Sequence, residues 1–207
     1  MSDFEFRPHV LRDRDGESGV ADCVLHWWAR LLDEPAWMHS DARKGYSPAV
    51  RAVLRRAESP DDALLTEGFR SLWFALPSGR RKSWDMPAWG CVAAVLAEVR
   101  RHTPGSSFAA AMGAESERGS GKPRVSELRF QQLLQSSDLH ELMRRARRAV
   151  HLLGDEVHVV SLADDLLHWY REKGGDFASR PDRRLAVRWA NDYFTQLPTG
   201  PRAGDTA

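Results

Sequence analysis

The sequence has few of the features that mark secreted, membrane-spanning or zinc-ribbon proteins. Its two cysteines, Cys23 and Cys91, are far apart and form no CxxC pair, so neither a disulfide framework nor a zinc ribbon is expected. No stretch approaches the ~18 consecutive apolar residues of a membrane-spanning helix. The opening segment MSDFEFRPHVLRDRDGES lacks the apolar core of a signal peptide. These absences predict a cytoplasmic protein with no membrane partner.

Charge of one sign is also scarce, because 30 Lys and Arg residues are nearly balanced by 29 Asp and Glu residues. A chain with a net charge of +1 is not a polycation that coats any nucleic acid or membrane, so anion binding must be local. The only lysines are Lys44, Lys82, Lys122 and Lys173. The predominance of arginine favours bidentate phosphate contact and stacking on bases, although a biased genome composition explains it equally well.

Sequence motifs of the common enzyme classes are missing as well. The chain has no GxxxxGK[ST], no GxSxG, and no GxGxxG that opens a helix after a strand, and HELMR (140–144) lacks the second histidine of the zinc-protease helix. Asp164 and His168 are four residues apart and could share a helix face, which leaves a helical metal nuclease as a minor alternative. The sequence therefore predicts a protein that is not an enzyme, with no catalytic residues, metal or cofactor.

Apolar residues at spacings of three and four predict an all-α protein of about eight to nine helices, and no segment shows strand alternation. Ser–Pro pairs at 47–48 and 59–60 are typical of helix starts. The predicted helices span 19–33, 47–57, 59–76, 86–102, 126–135, 137–153, 159–173 and 182–197.

The Gly- and Ser-rich segment GAESERGSGK (113–122) predicts an exposed, flexible connection between two helical lobes. Four amphipathic segments follow it, and their natural packing is a helical bundle. The predicted organisation is an N-terminal tail (1–17), an N-terminal helical lobe (18–112), a linker (113–125), a C-terminal bundle lobe (126–198) and a disordered tail (199–207).

Two helices carry clusters of arginine on the face opposite their apolar stripe. The outward residues are Arg51, Arg55 and Arg56 in the first helix, and Arg144, Arg147 and Arg148 in the second, with Arg145 at the edge. Surface helices usually contain acids that pair with such bases, but residues 43–57 and 142–153 contain none. A solvated surface is one interpretation. The repulsion favours an external phosphate backbone, and hence salt-sensitive, sequence-tolerant binding.

The chain contains 8 tryptophans, which could stack on bases or fill a core. Those within apolar helical segments, predicted to be buried, are Trp27, Trp28, Trp73, Trp89, Trp169 and Trp189. Trp37 and Trp84 lie near loops and are the better candidates for stacking.

Six blocks of the sequence resemble, in chain order, the CasB family, the small subunits of the type I-E CRISPR Cascade surveillance complex. These blocks are WWARLL (27–32), RAVLRRA followed by SP (51–60), SSFAAAMG (106–113), SELRFQQLLQSSDLHELMRRARRAV (126–150), SLADDLLHWY (161–170) and VRWANDYF (187–194). The most specific parts are the block from RF to RRA and the order of the helical blocks.

The resemblance implies an all-helical, non-enzymatic subunit that is present as a pair in Cascade. Its neighbours would be the CasC backbone, which holds the CRISPR RNA, and the large subunit CasA. Such proteins help to hold the R-loop, with basic surfaces near the displaced single-stranded DNA and the guide–target RNA–DNA hybrid. Because base pairing supplies the specificity, backbone contacts suffice. The alternative is a purely structural clamp, in which the arginines dock on acidic partner surfaces and touch no nucleic acid.

Matching motifs assign nucleic-acid contact to Arg55, Arg56, Arg129, Arg144 and Arg145. Wheel geometry adds Arg51 and Arg148, and Arg171 and Lys173 follow the HWY helix where relatives also carry bases. The loop at 77–85 and the linker look longer than in compact members. Their bases, Arg80, Arg81, Lys82, Lys122 and Arg124, therefore have no safe counterpart.

Overall fold

The computed structural model describes residues 6–12, 19–39 and 44–198, and it confirms the all-α class. The ten α-helices of these ranges are α1 (Val20–Leu32), α2 (Pro48–Arg56), α3 (Pro60–Leu64), α4 (Glu67–Ala75), α5 (Met86–Leu96), α6 (Phe108–Gly113), α7 (Glu127–Leu134), α8 (Leu139–Leu152), α9 (Val159–Lys173) and α10 (Leu185–Thr195). Short 3₁₀ helices lie at Pro35–Trp37, Ser78–Arg80, Ser83–Asp85 and Pro181–Arg183.

The structure divides one predicted helix and shortens another. The segment 59–76 forms α3 and α4, because Ser59 caps the first and Thr66 caps the second by accepting from the backbone N–H of Phe69. The helix predicted over 86–102 ends at Leu96. Beyond it, β1 (Arg101–His102) pairs in parallel with β2 (Glu156–Val157), so the prediction that this helix extends to residue 102 is wrong.

Helix α5 lies at the centre of the molecule and packs against α3, α8 and α9. All its residues from Ala88 to Leu96 are buried, because neighbours cover it on every side. At Gly90, a Cβ atom would lie 2.7 Å from the carbonyl oxygen of Pro60, so α3 approaches the backbone of α5 directly. The framework on which α2 and α8 display their arginines is therefore a closely packed core.

The segment predicted as a linker is a loop with internal and tertiary contacts. Glu115 and Pro123 form an antiparallel bridge, and the guanidinium of Arg124 donates to the carbonyl oxygen of Leu153 at 2.6 Å. Buried side chains on both sides of the segment belong to the same hydrophobic core. The division into two lobes stays a prediction, and the predicted tail 199–207 lies outside the described residues.

Residues 6–12 of the predicted N-terminal tail pack against α9. The carboxylate of Asp164 accepts hydrogen bonds from the backbone N–H groups of His9, Val10 and Leu11 at 2.9, 2.7 and 2.8 Å. Leu11 is completely buried. This part of the segment is therefore built into the core, while 1–5 and 13–17 lie outside the described residues.

Candidate nucleic-acid interface

A basic groove of about 560 Å³ lies between α7 and α8. We call it the α7–α8 groove, and it is lined by Val125, Ser126, Leu128, Arg129, Gln132, Leu133, Arg144, Arg145, Arg148, Ala149 and Leu152. Four of the arginines predicted to contact nucleic acid therefore meet at one surface, although they come from two helices.

Buried apolar residues fix the two helices that form this groove. In α8, Leu142, Met143 and Ala146 are buried, so Arg144 and Arg148, one turn apart, extend from the opposite face. In α7, buried Phe130 stacks on Tyr193 with ring centroids 4.0 Å apart, and the adjacent Arg129 is exposed. The guanidinium groups are thus held by a packed scaffold while remaining accessible.

Glu141 neutralises part of the charge in the groove. Its carboxylate lies 2.7 Å from Arg145 and 3.9 Å from Arg144. Hydrogen bonds from Ser137, and to a lesser extent the charge of Arg145, lower the pKa of Glu141. No ion pair with another described residue involves Arg129 or Arg148, both of which are exposed. Four arginines against one carboxylate leave the groove with a net positive charge, and Arg129 and Arg148 are available to an anion.

The arginines of α2 differ in exposure and in their partners. The side chain of Arg51 is half-buried and donates through Nε to the carbonyl oxygen of Ala97 at 2.8 Å. Arg55 pairs with the buried Glu98 at 2.6 Å. Arg56 is exposed and has no ion pair within the described part of the chain. The expectation that all three face outward is wrong for Arg51, because α2 packs beside the end of α5.

Arg147 does not face outward, which corrects the helical-wheel prediction. Its guanidinium donates to the carbonyl oxygens of Leu54, Ala57 and Ala94 at 2.7–3.3 Å, and its Nε lies 3.6 Å from Glu98. Burial lowers the pKa of Arg147, and the charge of Glu98 opposes that shift. Arg147 therefore joins α8 to α2 and α5. The two arginine-rich helices contain no acid of their own at these positions, and Glu98, in the segment after α5, supplies the negative charge.

Arg171 and Lys173 line a second groove of about 650 Å³, formed by the end of α9 and the loop 77–85. We call it the Trp84 groove, because the indole of Trp84 is 68% exposed there. Lys82 and Arg80 belong to the same lining. Arg80 and Lys82, which have no safe counterpart in compact CasB proteins, thus lie beside Arg171 and Lys173, which were predicted to contact nucleic acid.

Asp164 and His168, the basis of the nuclease alternative, serve structural roles. The carboxylate of Asp164 is fully buried and occupied by backbone amides. His168 contacts Arg188 through Nδ1 at 3.1 Å and Glu172 through Nε2 at 3.2 Å. Within the described ranges, no three His, Cys, Asp or Glu side chains are arranged to hold a metal ion.

The sequence was compared with models of known protein families, and one family matches. The family model of the CRISPR-associated protein Cse2 matches residues 50–194. The chain belongs to the Cse2 family. The resemblance to CasB proteins is thereby confirmed, and all nine residues predicted to contact nucleic acid lie within the span of the Cse2 match.

Solved structures of Cse2 proteins resemble this chain over most of its length. A CRISPR-associated protein of the Cse2 family from Thermus thermophilus is 27% identical, with a TM-score of 0.58, and the match covers 86% of this chain and 99% of that one. A structure of CasB from Thermus thermophilus is 26% identical, with a TM-score of 0.52, and the match covers 84% and 97%. None of the curated proteins matches the sequence.

Two of the remaining expectations for this Cse2 chain concern membranes and tryptophan. No helix in the described ranges is long and apolar enough to cross a membrane. The tryptophans found buried, as predicted, are Trp27, Trp28, Trp89, Trp169 and Trp189, while Trp73 is partly buried. Trp37 and Trp84 are the exposed ones.

Proposed function

We propose that this chain is the non-catalytic small subunit of a type I-E CRISPR Cascade complex and that the α7–α8 groove binds nucleic-acid backbone to stabilise the R-loop. Membership of the Cse2 family supports the assignment to a CRISPR complex. The observation that carries the proposed role is the convergence of Arg129, Arg144, Arg145 and Arg148 in one groove.

The charge of the groove suits a phosphate backbone that is held without reading its sequence. Guanidinium groups spaced along two helices can neutralise successive phosphates and release their counterions. The ligands would be the displaced single-stranded DNA and the guide–target RNA–DNA hybrid, because base pairing already supplies specificity. Arg55 and Arg56 on α2 and Arg171 and Lys173 on α9 would extend the contact. Half-buried Arg51 is the weakest member of the predicted set.

A net charge of +1 leaves the rest of the surface suited to protein neighbours. In the proposed complex these are CasA, CasC and a second copy of this chain, with the CRISPR RNA reached indirectly. One groove with few unpaired cations gives modest affinity in isolation. Several such grooves held together in the assembly would bind much more tightly, because the later contacts become intramolecular.

Fluorescence anisotropy of the purified chain with labelled single-stranded DNA over a salt series tests this proposal. The double variant Arg144→Ala/Arg148→Ala should reduce the log–log salt slope by about one to two, since each lost phosphate contact removes about one released counterion. The matched control is Arg70→Ala/Arg180→Ala, which removes two exposed arginines outside the groove. An equal reduction in the control would contradict a specific role for the α7–α8 groove.

The structural clamp is the second candidate, and exposed apolar residues favour it. Leu128 is 69% exposed and Leu152 is 37% exposed, and both line the same groove as the arginines. A protein partner with an acidic, partly apolar surface would bury them. In the anisotropy series, absence of binding by the wild type even at low salt would support the clamp and overturn the nucleic-acid proposal.

A further inference from the structure

The Trp84 groove combines an exposed aromatic ring with a set of positive charges. Trp84 lies within the 3₁₀ helix Ser83–Asp85, directly before α5, and 68% of its surface is accessible. The cationic side chains in the lining are Arg80, Lys82, Arg171 and Lys173, and the carboxylates are Asp85 and Asp176. A volume of about 650 Å³ is within the range of pockets that hold small organic groups.

Tertiary contacts anchor the loop that carries Trp84. The hydroxyl of Tyr170 donates to the backbone carbonyl oxygen of Trp84 at 2.7 Å, which joins the loop to the end of α9. The guanidinium of Arg80 donates to the carbonyl oxygens of Val10 and Arg12, which joins the same loop to the N-terminal segment. The ring is therefore presented on an anchored loop, so little ordering is needed when a ligand binds.

The charges beside Trp84 favour an anion. The ammonium of Lys173 lies 5.2 Å from the centre of the Trp169 ring, and Lys82 is exposed without an ion pair to any other described residue. Burial raises the pKa of Asp85, and the positive charges of Arg171 and Lys82 oppose this shift. Four cations against two carboxylates leave the lining positive.

We propose that the Trp84 groove binds an unpaired nucleotide, whose base stacks on Trp84 and whose phosphates contact Lys82, Arg171 and Lys173. An acidic peptide would satisfy the cations and leave the indole face bare, whereas an apolar peptide would cover the indole and desolvate the cations. A nucleotide supplies a planar ring and an anionic group in one unit. Duplex bases are already stacked on each other, so the groove should prefer single strands.

This inference rests on the proposed function, because it names the form of nucleic acid that a second surface of the same subunit would hold. It also gives Trp84 a role distinct from that of the α7–α8 groove. Phosphate contact in the α7–α8 groove does not require unpaired bases, whereas stacking on Trp84 does. The two contributions can therefore be separated by ligands with and without bases.

The test compares the full chain and its variants by anisotropy with three labelled probes of equal length: an oligothymidylate, an abasic strand and a duplex. Trp84→Ala should weaken binding of the oligothymidylate by about 5- to 100-fold and leave the abasic strand and the duplex unchanged. Trp84→Phe should recover part of the loss, because it restores an aromatic face. Phe74→Ala is the matched control, since Phe74 is an aromatic side chain of equal exposure, 68%, at the end of α4 and does not line the groove.

If Trp84→Ala weakens binding of the abasic strand and the oligothymidylate equally, the stacking role is overturned. Unchanged affinity of Trp84→Ala for the oligothymidylate would also overturn it and would indicate that the indole contacts a protein partner. If Trp84→Ala has no effect while Arg144→Ala/Arg148→Ala lowers the salt slope, the stacking inference fails and the proposed function stands. If the wild type binds none of the probes, both fail. Circular dichroism of each variant verifies that the fold is retained.

Discussion

Neighbouring arginines in α8 have different roles. Arg147 is nearly enclosed, with 15% of its side chain exposed, and it binds three backbone carbonyls near Glu98. Arg148 is exposed, lines the α7–α8 groove and has no ion pair among the described residues. The difference follows from a rotation of 100° per residue, which places Arg147 against the end of α2 and Arg148 beside α7.

Arg147→Ala should therefore destabilise the fold by about 3 kcal/mol, because it leaves three buried backbone carbonyls without their donor and removes one of the cations beside Glu98, which keeps its pair with Arg55. Arg148→Ala should change stability by less than about 0.5 kcal/mol, since the side chain is exposed, and should affect only the proposed nucleic-acid binding. Urea unfolding of both variants measures the difference. Equal unfolding free energies would contradict the structural role assigned to Arg147.

At the scale of whole elements, α6 and α10 are joined by a very close backbone approach. A Cβ atom at Gly113, the last residue of α6, would collide with the backbone carbonyl oxygen of Tyr193 in α10. The contact is reinforced by Ser107, which caps α6 and donates to Asp192 at 2.7 Å. Tyr193 in turn supports Phe130 of α7, so this contact contributes to the position of the α7–α8 groove.

Gly113→Ala should lower the unfolding free energy by about 1–3 kcal/mol, since α10 must move to admit the methyl group. Alanine normally stabilises a helix relative to glycine, so a loss would identify the collision as the dominant effect. Gly105→Ala is the control, because a Cβ atom there meets nothing within 4 Å. Thermal unfolding measures both variants, and similar melting temperatures would refute the predicted collision.

At the scale of the molecule, buried ionisable groups set the dependence of stability on pH. Burial lowers the pKa of His102, His158 and His168 from 6.5 to about 4. Between these values the unfolded chain binds more protons than the folded one, so these histidines make the free energy of unfolding rise from pH 4 to 6.5 and fall as the pH is lowered again. Burial raises the pKa of Asp165 from 3.8 to about 8, so its contribution is lost as the pH rises through 8. Below pH 6.5 the combined effect of three histidines on the unfolding free energy exceeds the opposite effect of one aspartate.

These four groups predict that stability rises from pH 4 to about 6.5 and then declines towards pH 8. Asp165→Asn, which mimics the protonated acid, should remove the decline and keep the acid side of the profile. Melting temperatures recorded by circular dichroism across this range provide the measurement. A decline of unchanged size in Asp165→Asn would show that another group causes it.

Patterns within single segments were enough to predict the fold class and most helices. Apolar spacing predicted α1, α2 and α7 to α10, because burial of one helix face depends on residues three and four apart. The periodicity missed α6, which has only six residues, and the strand pair, because β1 and β2 are two residues each and are joined by tertiary contact. The arginine-rich blocks and the order of motifs were also sufficient for the resemblance to CasB proteins.

The sequence by itself determined the helical class and the family resemblance, and it predicted a set of arginines as candidates for a phosphate-binding surface. Only the tertiary structure decided which arginines are structural and which are exposed. Arg147 points inward and Arg51 is half-buried. Arg129 of α7 lies in one groove with Arg144, Arg145 and Arg148 of α8. The physical reason is that a helical wheel gives the direction of a side chain relative to its own axis, whereas exposure and charge balance depend on what packs beside that axis. Glu98 and the carbonyls of α2 are remote in sequence from α8, and no pattern within α8 could have revealed them.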